Sequence, residues 1–444
     1  MSAVPATITG RNSLEAFWLP FTANRAFKAA PRLVVDAKGM YYQGEDGRQL
    51  LDTMAGLWCV NAGHGQKPIA DAIKAQADGL DYASSFMISH PSAFELAERI
   101  VALAPEGIDH IFFVNSGSEA VDTALKIARG YHRARGQSGR VKFIGRFKAY
   151  HGMGFGGLSV GGIERHKTDF GPLLPDVRHM SLPYDQQKSR FSKGQPEFGA
   201  DYAEELVKLI EEEDPATIAA VIVEPVTGSA GVYPPPKGYL ERLRQICTQH
   251  GILLIFDEVI TGFGRLGTPF AATRFGVTPD LITCAKGMTN GAMPMGGVLT
   301  AGFVYEAFME RSQNQIELMH GYTYSAHPIA CAAALATIEV YRDQDIFARA
   351  AAIAPIWQEA VHSLKDARHV LDIRNIGVLG SVELESRDGV VGPRGQALNN
   401  GCFKQGVLLR TTGDTVLLSP PLIISAAEID RVVTTLRAVL QEIE

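Results

Sequence analysis

Residues 251–297 read GILLIFDEVITGFGRLGTPFAATRFGVTPDLITCAKGMTNGAMPMGG, and the fold turns on how this stretch is parsed. Its opening run, Ile252-Leu253-Leu254-Ile255-Phe256, is apolar without alternation, which marks a strand buried on both faces of a parallel sheet. The run ends on two carboxylates, Asp257 and Glu258. A second apolar run, Leu281-Ile282-Thr283-Cys284-Ala285, ends on Lys286 and Gly287. The spacing from Asp257 to Lys286 leaves room for a crossover between neighbouring parallel strands, so an acid and an amine fall at adjacent strand ends. In open parallel sheets, ligands bind outside those ends.

A lysine pressed against an apolar strand has its ammonium form disfavoured, and the neutral amine attacks carbonyls to form a Schiff base. An aspartate beside it would keep a pyridine nitrogen protonated, and this lysine and aspartate are the protein partners that pyridoxal 5'-phosphate (PLP) requires. Residues i and i+2 of a strand share a face, so Val259 would lie beside Asp257 and pack flat on a ring. An N-capping aspartate and a solvated lysine would look the same in isolation.

Other strand ends narrow the choice. The strand His110–Val114 runs into Asn115-Ser116-Gly117-Ser118-Glu119 and a helix with Val121, Ala124, Leu125 and Ala128 on one face. Ser116 and Glu119 have capping-box spacing, and Gly117 and Ser118 would present N–H groups and a hydroxyl to a phosphate at the helix's positive end. The strand Val141–Gly145 leads to Tyr150-His151, where an aromatic ring can stack on a flat cofactor. The G-x-G-x-x-G match at Gly152, Gly154 and Gly157 that follows opens no helical run, so a dinucleotide fingerprint is rejected. The strand Ile218–Val223 ends on Glu224. Five strand ends thus carry Ser116, Tyr150, Glu224, Asp257 and Lys286, and a purely structural account must explain each separately.

The flanks fit a two-lobed α/β protein with a mostly parallel sheet. Residues 31–52 read as a hairpin of two strand-like runs around Gly44–Gly47; helices are expected over 68–79, 92–103, 202–213 and 237–250. The loop MAGLWCVNAGHG mixes aromatics with glycines, as site loops often do. His64 in it has no second ligand at metal spacing. Beyond about residue 325, helices alternate with short strands as an α+β lobe. The chain has 444 residues, 20% of them charged, with a formal net charge of −6, which gives no general attraction to nucleic acid or anionic membranes. Five scattered cysteines form no CxxC pair, no N-terminal secretion signal is evident, and a reducing cytosol fits.

IFDEVITGFGRLG, CAKGMTNGAMPMGG, NSGSEA, AYHG, VEP and HGYTYSAHP together resemble the class III aminotransferases, PLP enzymes of fold type I. LPFTANRAF, AGLWCVNAGHG and AGVYPPPKGYL are most similar to the β-alanine–pyruvate (omega-amino acid–pyruvate) transaminases within that family. The resemblance implies an N-terminal segment (1–60) packed with the small domain, a large PLP-binding domain (61–325) and a small C-terminal domain (326–444). It implies that Lys286 carries the aldimine and shuttles the proton, and that Asp257 pairs with the pyridinium nitrogen. Ser116, Gly117 and Ser118 would hold the phosphate, Tyr150 and Val259 the two ring faces, with His151 and Glu224 supporting the cofactor. Thr323 would reach the phosphate of a partner subunit in a homodimer or a tetramer of dimers. Arg410 would receive a substrate carboxylate, and Trp58, Phe86 and Tyr150 would form an apolar wall. The implied reaction moves an amino group from an omega-amino acid or amine to pyruvate. A different amine donor such as taurine or a diamine, an aminomutase or a decarboxylase stays open, whereas a nicotinamide oxidoreductase rests on the glycine match alone.

Overall fold

Three sheets organise the chain in the computed structural model, which describes residues 14–311 and 315–444. β1 (Val34–Lys38), β2 (Tyr41–Gly44) and β3 (Gln49–Asp52) follow one another near the N-terminus. They are three strands where the sequence suggested two, because Gly39, at φ +58°, makes a second tight turn between β1 and β2.

The large sheet comprises β4 (Ile108–Val114), β5 (Lys142–Arg146), β6 (Val177–Met180), β7 (Ile218–Val223), β8 (Leu253–Asp257), β9 (Leu281–Cys284) and β10 (Gly296–Ala301). Its order is β4-β10-β9-β8-β7-β5-β6. Every residue of β7, β8 and β9 is buried, which is why those segments read as unbroken apolar runs rather than alternating ones. Only β10 runs against its neighbours; it pairs antiparallel with both β9 and β4, so β4 points the same way as β5 to β9. The carboxyl ends of β4, β5, β7, β8 and β9 therefore share one edge, and the expectation of a mostly parallel sheet holds.

β11 (Val370–Ile376), β12 (Leu379–Leu384), β14 (Arg410–Thr412) and β15 (Thr415–Leu418) form the third sheet, while the short β13 (Val407–Leu408) runs parallel to β3. Met40 and Leu51 share a buried cluster with Trp357, Ile373, Val416 and Leu436, so the N-terminal strands pack with the C-terminal part of the chain. The helix Pro328–Asp343 belongs by packing to the core of the large sheet, into which it sends Ala330, Cys331, Ala333 and Ala334. No described helix is long and apolar enough to cross a membrane.

Candidate active site

The shared strand-end edge opens into a cavity of about 940 Å³. Ser116, Gly117, Ser118, Tyr150, His151, Glu224, Asp257, Val259 and Lys286 all line it, as do Trp58 and Arg410. β8 ends on Asp257, so the carboxylate leaves the sheet where the strand does. Its Oδ2 accepts from His151 Nδ1 at 2.7 Å, and its Oδ1 accepts from Val259 N and Thr283 Oγ1, each at 3.1 Å. Three donors hold this acid in one orientation. Its neighbour Glu258 turns the other way: Oε1 and Oε2 take the backbone N–H groups of Ala272 and Ala271, and burial pushes its carboxyl up to about 7. Of the two carboxylates at the strand end, one serves the cavity and the other caps a helix.

Lys286 follows β9 in a left-handed conformation, φ +48°. For a residue with a Cβ this costs about 1–3 kcal/mol, and Lys286 holds it where it lines the cavity. Its Nζ lies 5.2 Å from the centre of the Trp58 ring. Surrounding protein desolvates the ammonium and lowers its pKa; Cys59, Asp257 and Glu224 oppose that shift.

The helix Gly117–Ala134 begins at the same edge, with Ser116 as N-cap accepting from Glu119 N at 3.2 Å. The expected capping box is only half formed. Glu119 reaches past Ser116 to the backbone N–H and side-chain amide of Asn115, at 2.7 and 2.9 Å. A Cβ on Gly117 would lie 2.8 Å from Val259 Cγ1, so only glycine lets Val259 sit over this helix start. Ser118 Oγ accepts from Met153 N and ties down the glycine-rich loop behind Tyr150. That loop explains the G-x-G-x-x-G match. Gly157 N donates to Asp122 at 2.8 Å, and Cβ atoms on Gly152, Gly154 and Gly157 would strike Ser118, Asp122 or the backbone of His151. The glycines serve close packing against the helix rather than a pyrophosphate.

Glu224 is only 3% exposed and spends both oxygens on backbone donors, Tyr150 N and Gly228 N, each at 2.9 Å. It positions Tyr150, whose phenol is held neutral by burial. Burial raises the Glu224 carboxyl as well. Across the cavity, Arg410 at the start of β14 places its guanidinium 5.8 Å from the centre of the Trp58 ring.

Two expected residues lie elsewhere in the same chain. Phe86 is 55% exposed and sits against Gly321, and Thr323, also exposed, receives the Tyr82 hydroxyl on its carbonyl at 2.9 Å. Phe86 thus contributes nothing to the wall of its own cavity, because the segment 82–88 packs on the turn 321–325 instead. Conversely, the cavity takes in residues that sequence reasoning did not assign: Pro20, Phe21 and Thr22, and Ile163, Arg165, His166, Asp169 and Phe170. Arg165 donates to Thr412 at 2.7 Å beside Arg410, and His166 bridges Phe21 and Tyr150 by edge-on ring contacts. The signal for Phe21 was present in LPFTANRAF, which resembled the family without being given a role.

A desolvated amine, an oriented acid on the adjacent strand, a serine- and glycine-bearing helix start, and an aromatic ring and a β-branched side chain lining one cavity suit PLP group by group. His151 Nε2 is a further buried polar atom with no partner among the described residues. Fold and site together define a PLP-dependent enzyme of fold type I. Comparison with known proteins agrees: the family described as aminotransferase class-III matches residues 22–440. An omega-aminotransferase of Caulobacter vibrioides is 55% identical, covering 98% of this chain and 99% of its own length. A β-alanine–pyruvate aminotransferase of Pseudomonas aeruginosa is 45% identical over 96% of both chains. The crystal structure of an amine transaminase from an uncultivated Pseudomonas species in its PLP-bound form superposes with a TM-score of 0.91 at 34% identity, covering 98% of this chain and all of that one. The chain belongs to the class III aminotransferases.

Proposed function

We propose that this aminotransferase moves the amino group of an omega-amino acid such as β-alanine, or of an amine, to pyruvate, releasing the oxo product and alanine. The observation that carries this reading is the pairing of Lys286 and Asp257 at adjacent strand ends with Arg410 across an apolar wall in one cavity. PLP, when bound, supplies an electron sink for the carbanion left when a substrate amine loses its α-proton. Ser116, Gly117 and Ser118 would take the phosphate at the helix's positive end, Tyr150 and Val259 would lie against the ring, and Asp257 would keep the proton on the ring nitrogen. His151 and Glu224 hold Asp257 and Tyr150 in place. Lys286 would be the amine that holds the cofactor and, once a substrate amine had displaced it, the base that moves the proton at the reacting carbon.

Arg410 binds a substrate carboxylate through two parallel hydrogen bonds, and Arg165 beside it offers a second guanidinium to an acid of different length. Trp58 and Tyr150 enclose the hydrocarbon part. We place Phe86 and Thr323 in the partner's site of a homodimer, or of a tetramer of dimers. Phe86, Met87 and Ile88 are exposed, as are Met319 and Tyr324 on either side of the Gly321 that Phe86 packs against, which is apolar surface of the kind a partner subunit covers. The lobes are taken as 61–325 and 326–444, with 1–60 packed on the latter and the helix Pro328–Asp343 bridging the two. Five unpaired thiols suit the cytosol.

The test is direct. The purified protein should be yellow, bleach with borohydride, and convert to the pyridoxamine form with β-alanine. Pyruvate should then restore the colour and yield alanine in step with the oxo product. Turnover without alanine formation would point to a mutase or decarboxylase, and a protein that takes up no PLP would end the reading.

A further inference from the structure

The turn that carries Trp58 is the most distorted in the site region. Ala55 and Trp58 both have positive φ (+46° and +60°), Gly56 between them is at +68°, and Leu57, at φ −142° and ψ +62°, is non-helical. Two non-glycine residues in the left-handed region within four positions do not hold that shape by themselves. What holds it lies behind the turn. Asp52, the last residue of β3, has no exposed surface; its Oδ1 accepts from Met54 N at 2.8 Å and its Oδ2 from Gly56 N at 2.6 Å. The same Oδ2 accepts from His64 Nε2 at 2.8 Å, and the ring of Tyr42 lies against the His64 ring with centroids 4.2 Å apart. A Cβ on Gly56 would approach the Tyr42 hydroxyl to 3.2 Å, which closes the turn from the far side. At its front, the buried Trp58 ring lies 5.2 Å from Lys286 Nζ and 5.8 Å from the Arg410 guanidinium, both measured to its centre. Its Nε1 has no partner among the described residues, so no side-chain hydrogen bond of its own fixes its place.

We propose that Asp52 and His64 form a positioning pair for substrate range: by pinning the strained turn 54–58 they hold the Trp58 indole across the cavity and so set the largest hydrocarbon group a donor can carry. This rests on the reading of the cavity as the amine site. His64 neither touches the cavity nor shuttles a proton; it acts through Asp52, and Asp52 through the backbone of the turn. The site loop thus owes its shape to a His–Asp pair of the kind usually sought in catalytic centres, used here to brace a wall.

The experiment compares His64→Phe, which keeps a ring against Tyr42 and removes the N–H, with His64→Gln, which can restore a donor to Asp52. The readouts are the kcat/KM ratio for a bulky over a small arylalkyl amine, and acrylamide quenching of the Trp58 fluorescence component, isolated by subtracting the Trp58→Phe variant. His64→Phe should raise the ratio about tenfold, mostly through KM for the bulky amine, and should expose Trp58 to quencher even without PLP, while His64→Gln stays near wild type. In a Trp58→Ala background His64→Phe should change the ratio no further, since the two act on one wall. If His64→Phe does not fold, Asp52→Asn, which keeps the side chain's shape, is read the same way. A wild-type ratio and wild-type quenching in the folded variant overturn the proposal. If Trp58→Ala itself leaves the ratio unchanged, it is the amine-site reading of the cavity that fails, and the quenching result still decides whether the pair holds the turn.

Discussion

The floor and the wall of this cavity are built by different means. The floor consists of strand ends, with Asp257, Lys286, Glu224 and Tyr150 leaving β8, β9, β7 and β5 along one edge of a sheet whose central strands are wholly buried. The wall consists of loops brought together over long sequence distances: the turn at Trp58, the segment 163–170, Phe21 and the start of β14. A floor made of strand ends inherits the rigidity of the sheet, so it can fix chemistry. A wall made of strained or surface loops can be reshaped without unfolding the core, so it can fix specificity.

The largest expected effect tests the floor. Lys286→Ala should cut transamination by more than about 10³-fold while the protein still folds, because the side chain does covalent and proton-transfer work that no neighbour duplicates. Loss of fold rather than of turnover would make Lys286 a structural residue and blur the distinction. Asp257→Asn comes next. An amide cannot hold the ring nitrogen's proton, so the variant should keep PLP and lose about 10²–10³-fold in turnover; normal turnover would remove the electron-sink role.

At the wall the losses should be smaller and should depend on substrate. Arg410→Ala is expected to cost about 10- to 100-fold in the half-reactions of pyruvate and β-alanine, the worth of hydrogen bonds to a charged group, and less than about threefold for a neutral arylalkyl amine. Equal losses would put the carboxylate site elsewhere, with Arg165 the next residue to change. The subunit boundary of the wall can be probed by mixing Lys286→Ala with Thr323→Ala protein. If Thr323 acts in the partner's site, random exchange leaves about a quarter of all sites intact, and mixtures no more active than their parents would argue against it.

The smallest effect separates the two carboxylates at the end of β8. Glu258 is raised by burial to about 7, so between the ordinary carboxylate value and about 7 the folded state binds more protons than the unfolded one. The stability this contributes is fully present below the ordinary value and is lost as pH rises through about 7. Glu258→Gln should flatten that decline in a melting-temperature series by a few degrees at most, without changing substrate preference. A change in preference would mean that Glu258, too, serves the cavity.

Much of the floor could be read directly. ILLIF and LITCA were recognisable because strands buried on both faces need apolar side chains at every position, and the polar residue ending each run then had to lie at the sheet edge. β10 escaped notice because Gly296-Gly297 opens it and its partners are set by antiparallel pairing on both sides. The capping-box spacing at Ser116 and Glu119 was right for one arm only, since the glutamate's reach to Asn115 depends on rotamer rather than spacing.

By itself the sequence determined the class of fold, the cofactor chemistry and the strand-end residues, because each follows from local pattern: burial on two faces, a helix start, a charge where a strand stops. Only the tertiary structure decided which residues face one another across the cavity. It set Phe86 and Thr323 outside their own chain's site, brought Arg165 beside Arg410, and joined Asp52 to His64 behind Trp58. Loop contacts of that kind depend on positive-φ turns and on packing between segments far apart in sequence, and no local periodicity encodes them.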